Sequence, residues 1–328
     1  MAKKPKVLVT RVLPRPGMDL LKLHFDLDVN YEDQVIPREV LKEKIGNKEG
    51  LVCLLTDNID AAIIARALRL KIIANYAVGF NNIDLVEASK RKIPVTNTPD
   101  VLTEATADLT FGLLISISRR IVEADHFLRA GTFKGWAPEL LLGADVHEKT
   151  LGIIGLGRIG RAVVRRARGF DMRIIYYDNE RLPVDAEKEL GVQYCALTDL
   201  LREADYVSIH APLSERTHHL LSTSEFELMK ETAYVINAAR GPIVDEKALV
   251  RAIKDKKIAG CALDVYENEP RVESELIRMN NVVLVPHIGS ASVETRTKMA
   301  LMVAENVIAV LVRKERPPNV VNGQIYGQ

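Results

Sequence analysis

The chain has 328 residues, of which 47% are hydrophobic and 27% are charged, and its formal net charge is +1 at pH 7. This length and apolar content suffice for large buried cores and favour two domains, and they exclude a disordered chain. Because acids and bases are balanced and mixed along the sequence, no strong field draws nucleic acid or an anionic membrane surface. We therefore expect a protein that acts on a small-molecule substrate.

The cysteines and the N-terminus predict a cytoplasmic protein. Cys53, Cys195 and Cys261 are an odd number, and each lies in an apolar or strand-like run where a reduced, buried thiol is the ordinary state. The N-terminus passes from MAKKPK directly into the short strand-like VLVT, so it lacks the apolar length of a signal peptide. No other run approaches the length of a transmembrane helix.

Short β-rich runs alternate with helix-like stretches from Lys6 to about Val95. The strand-like runs are KVLVT, FDLDVN, GLVCLLT, LKIIANYA and IPVTN, and the helix-like stretches lie around Gly17, Arg38, Ala61 and Asp84. The alternation returns between Thr150 and Val285 with TLGII, RIIYY, YVSIH, AYVIN, AGCAL and VVLV. Each βα repeat predicts a parallel sheet with helices on both faces.

Two helical segments set the expected domain organisation. The segment from Thr103 to Ala130 is helical in period and interrupted only by Gly112, and a helix of that length could bridge two domains. The tail from Ala291 to Arg313 is another amphipathic helix that would return to the first half. We predict an α/β protein with two doubly wound parallel-sheet domains and a cleft between them. A flavodoxin-like substrate domain would comprise residues 1–99 and 290–328, and a Rossmann nucleotide-binding domain residues 100–289.

The segment LGIIGLGRIG, residues 151–160, joins an apolar strand to a glycine-spaced turn and a helix start. This context predicts a site for the pyrophosphate of a dinucleotide at the helix N-terminus. Gly155 would permit the tight turn, Gly157 would let the backbone approach the phosphates, and Gly160 would let the helix pack closely on the strand. A plain βα turn, in which the glycines serve packing only, is the alternative.

An acid after the next strand bears on the choice of cofactor. Asp178 follows RIIYY, and its carboxylate can accept both ribose hydroxyls of NADH. The additional phosphate of NADPH would face a like charge there. Arg181 could partly neutralise that phosphate, so we expect NAD as the cofactor, with NADH preferred and weak NADPH use left open.

Three polar residues follow strands of the second half, where ligands of open α/β sheets bind. Arg240 follows AYVINAA, Glu269 lies after AGCALDVY, and His287 follows VVLVP. A guanidinium can hold a substrate carboxylate and polarise its carbonyl, and histidine titrates near neutrality as a proton donor should. Glu269 would fix the tautomer of His287 and favour its protonated ring. Taken singly, Arg240 could be a salt-bridge residue and Glu269 a solvated acid; their shared position with His287 favours a catalytic unit.

Four segments resemble the D-isomer-specific 2-hydroxyacid dehydrogenase family: GLGRIG at 155–160, NAARGPIVDEKAL at 237–249, ALDVYENEP at 262–270 and VPHIGSAS at 285–292. Within that family, NYAVGFNNIDL at 75–85 and NTPDVLTEATADLTFGLL at 97–114 look most like the glyoxylate and hydroxypyruvate reductases. The resemblance implies the same catalytic roles for Arg240, Glu269 and His287.

The resemblance also implies further contacts. Ala77, Val78 and Gly79 would offer backbone amides to the substrate carboxylate, and Leu54 would wall the pocket. Asp264 would receive the nicotinamide carboxamide amine. The other implied cofactor-lining positions are Thr106, Arg158, Ile159, His210, Pro212, Ala238 and Gly289. The apolar arm, Trp136 with Leu140 to Leu142, is either domain core or, as the resemblance implies, part of a homodimer interface.

The remaining histidines have ordinary explanations. We interpret His24, His126, His147, His218 and His219 as surface or core-edge residues. His218 and His219 are adjacent and would point apart in regular structure, and no cysteine or acid nearby completes a metal set, so we expect no metal site. His210 follows the strand YVSI without a carboxylate partner, which favours a place beside the cofactor.

The expected activity is NADH-dependent reduction of small 2-oxo acids, glyoxylate first and hydroxypyruvate second, with the reverse reaction a D-2-hydroxyacid dehydrogenation. One alternative is a phosphoglycerate dehydrogenase, a family that often adds a regulatory domain, whereas this chain ends shortly after its returning helix. Another is a dinucleotide-sensing scaffold like the transcriptional corepressors that share this fold. Those proteins bind partners through additional tails, which we do not expect here.

Overall fold

The computed structural model describes residues 3–327, so the start of MAKKPK and the last residue of the predicted substrate domain lie outside it. The chain divides into two compact units. One contains the residues up to Leu102 together with those from Ser290 onward, and the other is Thr103–Gly289. The first boundary lies at Leu102 rather than at residue 99, directly before a helix that begins at Thr103.

The first unit is built on a five-stranded, fully parallel sheet in the order β2-β1-β3-β4-β5, the flavodoxin-like order. Its strands are β1 Lys6–Val9, β2 Asp26–Val29, β3 Gly50–Cys53, β4 Ile72–Asn75 and β5 Val95–Thr96. The connecting helices are α1 Arg15–His24, α2 Arg38–Ile45, α3 Ala61–Arg66 and α4 Leu85–Lys90. The strands β3, β4 and β5 are buried throughout, as expected when helices cover both faces of a parallel sheet.

The C-terminal helix belongs to this first unit. It runs over Val293–Ile308, and the Ser292 side chain caps it by accepting a hydrogen bond from the Thr295 N–H at 3.1 Å. The helix packs against α1 so closely that a Cβ at Gly17 would lie 2.5 Å from the Ala300 Cβ. A single π-helical turn, Ala309–Arg313, ends it.

The second unit contains a seven-stranded parallel sheet in the order β12-β11-β10-β9-β6-β7-β8. Its strands are β6 Thr150–Ile154, β7 Arg173–Tyr177, β8 Gln193–Tyr194, β9 Tyr206–Ile209, β10 Tyr234–Asn237, β11 Gly260–Leu263 and β12 Val282–Leu284. Its helices are α5 Thr103–Ser118, α6 Ile121–Arg129, α7 Arg158–Ala167, α8 Val184–Leu190, α9 Leu197–Glu203, α10 Thr223–Leu228 and α11 Glu246–Lys254, and we number the C-terminal helix α12. The strand order reverses between β6 and β9, which is the switch point of a Rossmann sheet. The prediction of two doubly wound parallel sheets is confirmed.

The expectation of one helix from Thr103 to Ala130 is wrong. The helix ends at Ser118 because the Ala144 N–H, on the returning chain, donates to the Ser118 carbonyl at 2.8 Å. Arg120 then adopts a left-handed conformation with φ 52° before α6 begins. Gly112 lies inside α5 without interrupting it, and α5 lies wholly in the second unit, so it does not bridge the two.

Two further expectations need correction or limits. The apolar arm is not domain core, because Trp136 is 84% and Leu142 63% exposed.

Cys53 and Cys261 are buried free thiols, as expected, whereas Cys195 is only half-buried. Among residues 3–327, no helix has the length and apolar character needed to cross a membrane.

Candidate active site

The glycine turn connects β6 to α7 at the switch point of the sheet. Gly155 has φ +92°, and a Cβ there would lie 2.6 Å from the Ala211 backbone nitrogen, so both conformation and packing require glycine. A Cβ at Gly160 would overlap the Gly155 carbonyl oxygen, which explains the close approach of α7. Gly157 differs from both, because a Cβ there would meet no atom within 4 Å. Its exposed backbone, at the N-terminus of a ten-residue helix, leaves room for a pyrophosphate.

Asp178 lies beside this turn at the end of β7. Its Oδ2 accepts a hydrogen bond from the Leu156 N–H at 2.8 Å, and its Oδ1 accepts one from the Asn179 N–H at 2.7 Å. Each carboxylate oxygen has one further lone-pair direction for a ligand hydroxyl. The residues therefore fit a dinucleotide, with the glycine turn for its phosphates and an oriented acid for its adenosine ribose.

Glu269 and His287 form a hydrogen-bonded pair. His287 Nδ1 and Glu269 Oε2 are 2.9 Å apart, and the two side chains are 28% and 30% exposed. The Tyr266 N–H donates to the other carboxylate oxygen at 3.0 Å and so orients the acid. Burial raises the pKa of Glu269, but the hydrogen bond and charge of His287, with Tyr266 and Arg240, hold it below its ordinary value. The acid is therefore ionised at neutral pH and can stabilise a protonated imidazole.

The backbone at His287 is held in an uncommon conformation. Its φ is 52°, and its N–H donates to the Asp264 carbonyl at 2.9 Å. The Asp264 carboxylate, 1% exposed, accepts the N–H groups of Ile288 at 2.6 Å and Gly289 at 2.8 Å. Burial raises the pKa of Asp264, and these two backbone donors oppose the rise. The loop after β12 is thereby fixed to the end of β11.

Arg240 follows β10 in extended conformation, with φ −146° and ψ 135°. Its Nη1 donates to the Ala239 carbonyl at 2.6 Å, and the buried Asn237 side chain donates to the Arg240 carbonyl at 3.0 Å. Burial lowers the pKa of Arg240, and the negative charge of Glu269 opposes that effect. The structure thus brings Arg240, Glu269 and His287 to the carboxyl ends of three neighbouring strands, β10, β11 and β12.

The remaining predicted cofactor positions lie along the same edge of the second unit. Thr106, in α5, lies beside Gly289, where a Cβ would be 3.4 Å from its methyl carbon and 3.2 Å from the Asp264 carboxylate. Arg158 and Ile159 begin α7. Ala238 directly follows β10, and Pro212, two residues beyond His210, accepts the Thr217 hydroxyl through its carbonyl at 2.7 Å.

His210 follows β9 at the switch point. Its Nε2 lies 2.9 Å from the Ser208 hydroxyl, a partner that the sequence argument did not identify. Burial lowers the pKa of His210 to about 4, so its ring is neutral at physiological pH. A neutral ring beside the glycine turn suits a hydrogen-bonding role better than general acid catalysis.

The expectation that His218 and His219 point apart is wrong. Their ring centroids are 4.1 Å apart, because His219 has φ 50° and the pair lies in a turn rather than in regular structure. His219 Nε2 also lies 2.8 Å from the Glu267 carboxylate, so an acid is nearby after all. Within the described part of the chain, no group of three histidine, cysteine or acidic side chains could hold a metal ion.

The predicted substrate contacts of the first unit lie in two of its loops. The Leu54 N–H donates to the buried Asp57 carboxylate at 2.8 Å, and the Asn82 side chain donates to the Leu54 carbonyl at 3.0 Å. The carbonyls of Ala77, Val78 and Gly79 are also hydrogen-bonded, respectively to the Thr98 N–H at 2.9 Å, the Asn97 side chain at 2.8 Å and the Asn75 side chain at 2.8 Å. Both loops are therefore held by hydrogen bonds to buried and half-buried polar groups of the first unit.

Sequence reasoning missed one residue, Tyr266, that joins the segments of the three candidate catalytic residues. Besides orienting Glu269, Tyr266 donates through its hydroxyl to the Val285 carbonyl at 2.9 Å. Its backbone packs against Gly241, where a Cβ would overlap the Tyr266 carbonyl group. The signal available in the sequence was its position inside ALDVYENEP, three residues before Glu269; the structure adds that this tyrosine is buried, and a buried phenol needs a hydrogen-bond partner.

Comparison with known proteins identifies the family. The family model "D-isomer specific 2-hydroxyacid dehydrogenase, NAD binding domain" matches residues 111–289. The chain belongs to the D-isomer specific 2-hydroxyacid dehydrogenases. It is therefore an oxidoreductase that reduces 2-oxo acids with a nicotinamide cofactor, and the matched residues lie in its second unit.

Individual members of this dehydrogenase family are similar along nearly the whole chain. The glyoxylate reductases of Thermococcus kodakarensis and Korarchaeum cryptofilum are each 51% identical, over 98% of this chain and 97% of their own. The crystal structure of a glyoxylate reductase from Paecilomyes thermophila has TM-score 0.87 and 33% identity, covering 99% of this chain and all of that chain. An NADPH-dependent glyoxylate/hydroxypyruvate reductase from Sinorhizobium meliloti, solved with NADP and malonate, has TM-score 0.85 and 31% identity, covering 97% of each chain.

Proposed function

We propose that the protein is a glyoxylate reductase that prefers NADH and accepts hydroxypyruvate as a second substrate. The observation that carries the proposal is the hydrogen-bonded Glu269–His287 pair. It lies at the same edge of the sheet as Arg240, since the three residues follow the neighbouring strands β11, β12 and β10. The 51% identity to two glyoxylate reductases over nearly the whole chain favours glyoxylate as the substrate.

In this proposal Arg240 binds the substrate. Its guanidinium offers paired N–H donors in a fixed plane, which match a carboxylate or the adjacent carboxylate and carbonyl oxygens of a 2-oxo acid. Half-burial of the side chain strengthens these contacts by excluding water. Polarising the carbonyl oxygen prepares the carbon for reduction, and the bound nicotinamide supplies the hydride.

His287 gives its proton to the oxygen that becomes the hydroxyl. Its Nδ1 is hydrogen-bonded to Glu269, which leaves Nε2 as the nitrogen that serves the substrate. The negative charge of Glu269 favours the protonated ring before transfer, and it keeps the ring oriented after the proton has left.

We propose that the loop at residues 77–79 offers backbone N–H groups to a substrate carboxylate. The carbonyl groups of Ala77, Val78 and Gly79 are engaged within the first unit. In a trans peptide the C=O and N–H point in opposite directions, so the N–H groups of Val78 and Gly79 face away from those partners. Amides turned outward in this way are suited to an anionic oxygen.

The NADH preference rests on Asp178. Its carboxylate is held by the Leu156 and Asn179 N–H groups and can accept two ribose hydroxyls. A 2′-phosphate at the same place would meet the charge of this carboxylate. The relative from Sinorhizobium meliloti is NADPH-dependent, so a direct comparison of NADH with NADPH tests this preference.

A substrate panel tests the activity. Oxidation of NADH is followed with glyoxylate, hydroxypyruvate, pyruvate and a phosphorylated 2-oxo acid, and we expect the highest kcat/KM with glyoxylate. His287→Ala should lower kcat by at least about 100-fold with little change in NADH binding. His147→Ala is the matched control, because this histidine is 62% exposed. The proposal is contradicted if only the phosphorylated acid is reduced, or if His287→Ala turns over glyoxylate at the normal rate. Binding of NADH without turnover of any acid favours a sensing scaffold.

We further propose that the protein is a homodimer in which a second copy covers the apolar arm. Trp136, Leu142 and Ile277 are 84%, 63% and 63% exposed, and β12 is an edge strand of its sheet. A groove of about 570 Å³ lies between the junction of α5 and α6 and residues 276–284, which include β12. Leu142 and Ile277 line this groove together with β12, and exposed apolar groups next to an edge strand favour association. Light scattering should give twice the mass of 36.5 kDa, and Ile277→Asp should lower it; a monomeric parent chain refutes the dimer.

A cytoplasmic location completes the proposal. Cys53, Cys195 and Cys261 are all free thiols, which suits a reducing compartment. Cell fractionation with an antibody against the native protein tests this, and recovery outside the cytoplasmic fraction contradicts it.

A further inference from the structure

Arg181, three residues beyond Asp178, is held in a two-pronged ion pair. Its Nε and Nη2 donate to Oε1 and Oε2 of Glu187 at 2.9 Å each, which is the bidentate geometry of arginine and carboxylate. Glu187 lies in α8 and is only 7% exposed. The Arg181 hydrogen bonds hold the pKa of Glu187 below its ordinary value, so the pair is charged on both sides at neutral pH.

Two tyrosines, Tyr176 and Tyr194, contact this pair. The Tyr176 hydroxyl donates to Glu187 Oε1 at 2.9 Å and accepts the Leu182 N–H at 2.8 Å. The Arg181 guanidinium lies over the Tyr194 ring, with its central carbon 5.5 Å from the ring centroid. Tyr176 packs edge-on against Tyr194 at 5.4 Å between centroids. The Arg181 side chain, although 55% exposed, is thus held by both a buried acid and an aromatic ring.

The direction of this restraint follows from the strand order. Tyr194 lies on β8, the outer strand of the series β6-β7-β8. Asp178, at the end of β7, is instead hydrogen-bonded to Leu156 in the turn after β6. The guanidinium is therefore drawn toward the sheet edge at β8, whereas the ribose-binding carboxylate faces the opposite neighbour, β6.

We propose that Glu187 is a coenzyme-specificity residue, which disfavours NADPH by holding Arg181 away from the position of a 2′-phosphate. The inference rests on the proposed dinucleotide site and extends it. The charge of Asp178 explains why a 2′-phosphate is repelled, but it does not explain why the positive charge of Arg181, three residues away, fails to offset that repulsion. A guanidinium paired with a carboxylate attracts a second anion only weakly, because the two charges largely cancel. The paired N–H donors of Arg181 are also already hydrogen-bonded to Glu187. Glu187 acts through Arg181 and is a positioning residue.

Glu187→Gln is the first test. The amide keeps the shape and can still accept the Tyr176 hydroxyl, but it loses the charge that retains the guanidinium. Released Arg181 should then pair with the 2′-phosphate and tighten NADPH binding by roughly tenfold, the size of one charge-assisted hydrogen bond. NADH affinity should stay within about twofold, because NADH carries no phosphate at that position. Both affinities are measured by calorimetric titration of the full chain, without substrate, so the readout does not depend on turnover.

The controls separate a specific effect from a change in net charge. Asp185→Asn makes the same charge change at a side chain that is 98% exposed and should leave both affinities unchanged. Arg181→Gln alone should not weaken NADPH binding, and the double variant Glu187→Gln with Arg181→Gln should lose the gain. If Glu187→Gln proves unstable, Glu187→Asp is the substitute. It retains the negative charge but shortens the side chain by one methylene, so we expect a smaller gain in NADPH affinity.

Three results would overturn the inference: unchanged NADPH affinity in a folded Glu187→Gln chain, a gain that persists in the double variant, or weaker NADPH binding by Arg181→Gln alone. The last would mean that Arg181 already reaches the phosphate despite Glu187. Failure of the proposed function looks different, since the unmodified chain would then bind NADH weakly or bind both coenzymes equally well.

Discussion

Gly157→Ala separates the ligand-binding and folding roles of the glycine turn. The backbone at Gly157 has φ −73° and ψ −160°, which alanine adopts without strain, and the added Cβ would meet no atom within 4 Å. Alanine is a weaker N-cap than glycine, but replacing glycine also restricts the unfolded chain, and the two effects of about 0.5–1 kcal/mol oppose each other. The free energy of unfolding should therefore change by less than about 0.5 kcal/mol, which is a shift in Tm of about 2 °C or less in a unit of this size.

Coenzyme binding should respond very differently to Gly157→Ala. A methyl group where the pyrophosphate approaches the helix N-terminus displaces at least one charge-assisted N–H to phosphate bond, worth about 1.5–3 kcal/mol. The Kd for NADH should rise by roughly 10- to 150-fold, measured by fluorescence titration beside a thermal melt. Gly112→Ala, in α5, also meets no atom within 4 Å and is the matched control, which should leave the Kd unchanged. A Kd within twofold of the parent chain in folded Gly157→Ala would refute a phosphate site at this turn and favour the reading of the glycines as packing alone.

Three further substitutions test the rest of the site. Glu269→Gln should lower kcat/KM for glyoxylate by about 10- to 100-fold, because His287 loses the charged partner that orients its ring and whose pKa is held below its ordinary value; a kcat/KM within twofold of the parent chain contradicts this role. Gly241→Ala should destabilise the protein by about 1–3 kcal/mol or more, seen as a lower Tm, because the Cβ would overlap the Tyr266 carbonyl, and an unchanged Tm would count against that packing. Asp178→Ser should raise the NADPH to NADH ratio of kcat/KM by at least roughly tenfold, and an unchanged ratio removes the basis of the NADH preference.

Local sequence patterns were sufficient to predict the strands other than the two-residue β8, Gln193–Tyr194, and the strand-end positions of the candidate site. TLGII and RIIYY are apolar or β-branched runs bounded by turns, and they form β6 and β7 over the same residues. Arg240 and His287 could be placed because parallel strands end at one edge of a sheet, whatever the detailed packing. The motif spacing therefore carried most of the information about the site.

The errors arose where a distant partner decides the local structure. The end of α5 depends on Ala144, whose N–H donates a hydrogen bond to the Ser118 carbonyl from a distant loop. Helical periodicity in the sequence cannot predict that contact. The left-handed backbone of His219 turns its ring toward its neighbour, against the rule for regular structure. The pairing of Arg181 with Glu187 needs α8 in place, so the sequence shows an arginine near Asp178 without showing that it is already engaged.

Tyr266 explains how the three candidate catalytic side chains, which follow separate strands, stay in one arrangement. Its N–H orients Glu269, its hydroxyl holds the carbonyl of Val285 two residues before His287, and its own carbonyl group packs on Gly241, the residue after Arg240. One buried residue thus contacts, through its backbone and its hydroxyl, the segment of each candidate catalytic residue. Catalysis by acid and charge stabilisation requires donors that are already aimed before the substrate binds. Because all of these contacts lie within Thr103–Gly289, the orientation of the acid, the imidazole and the arginine segment is a property of the second unit itself.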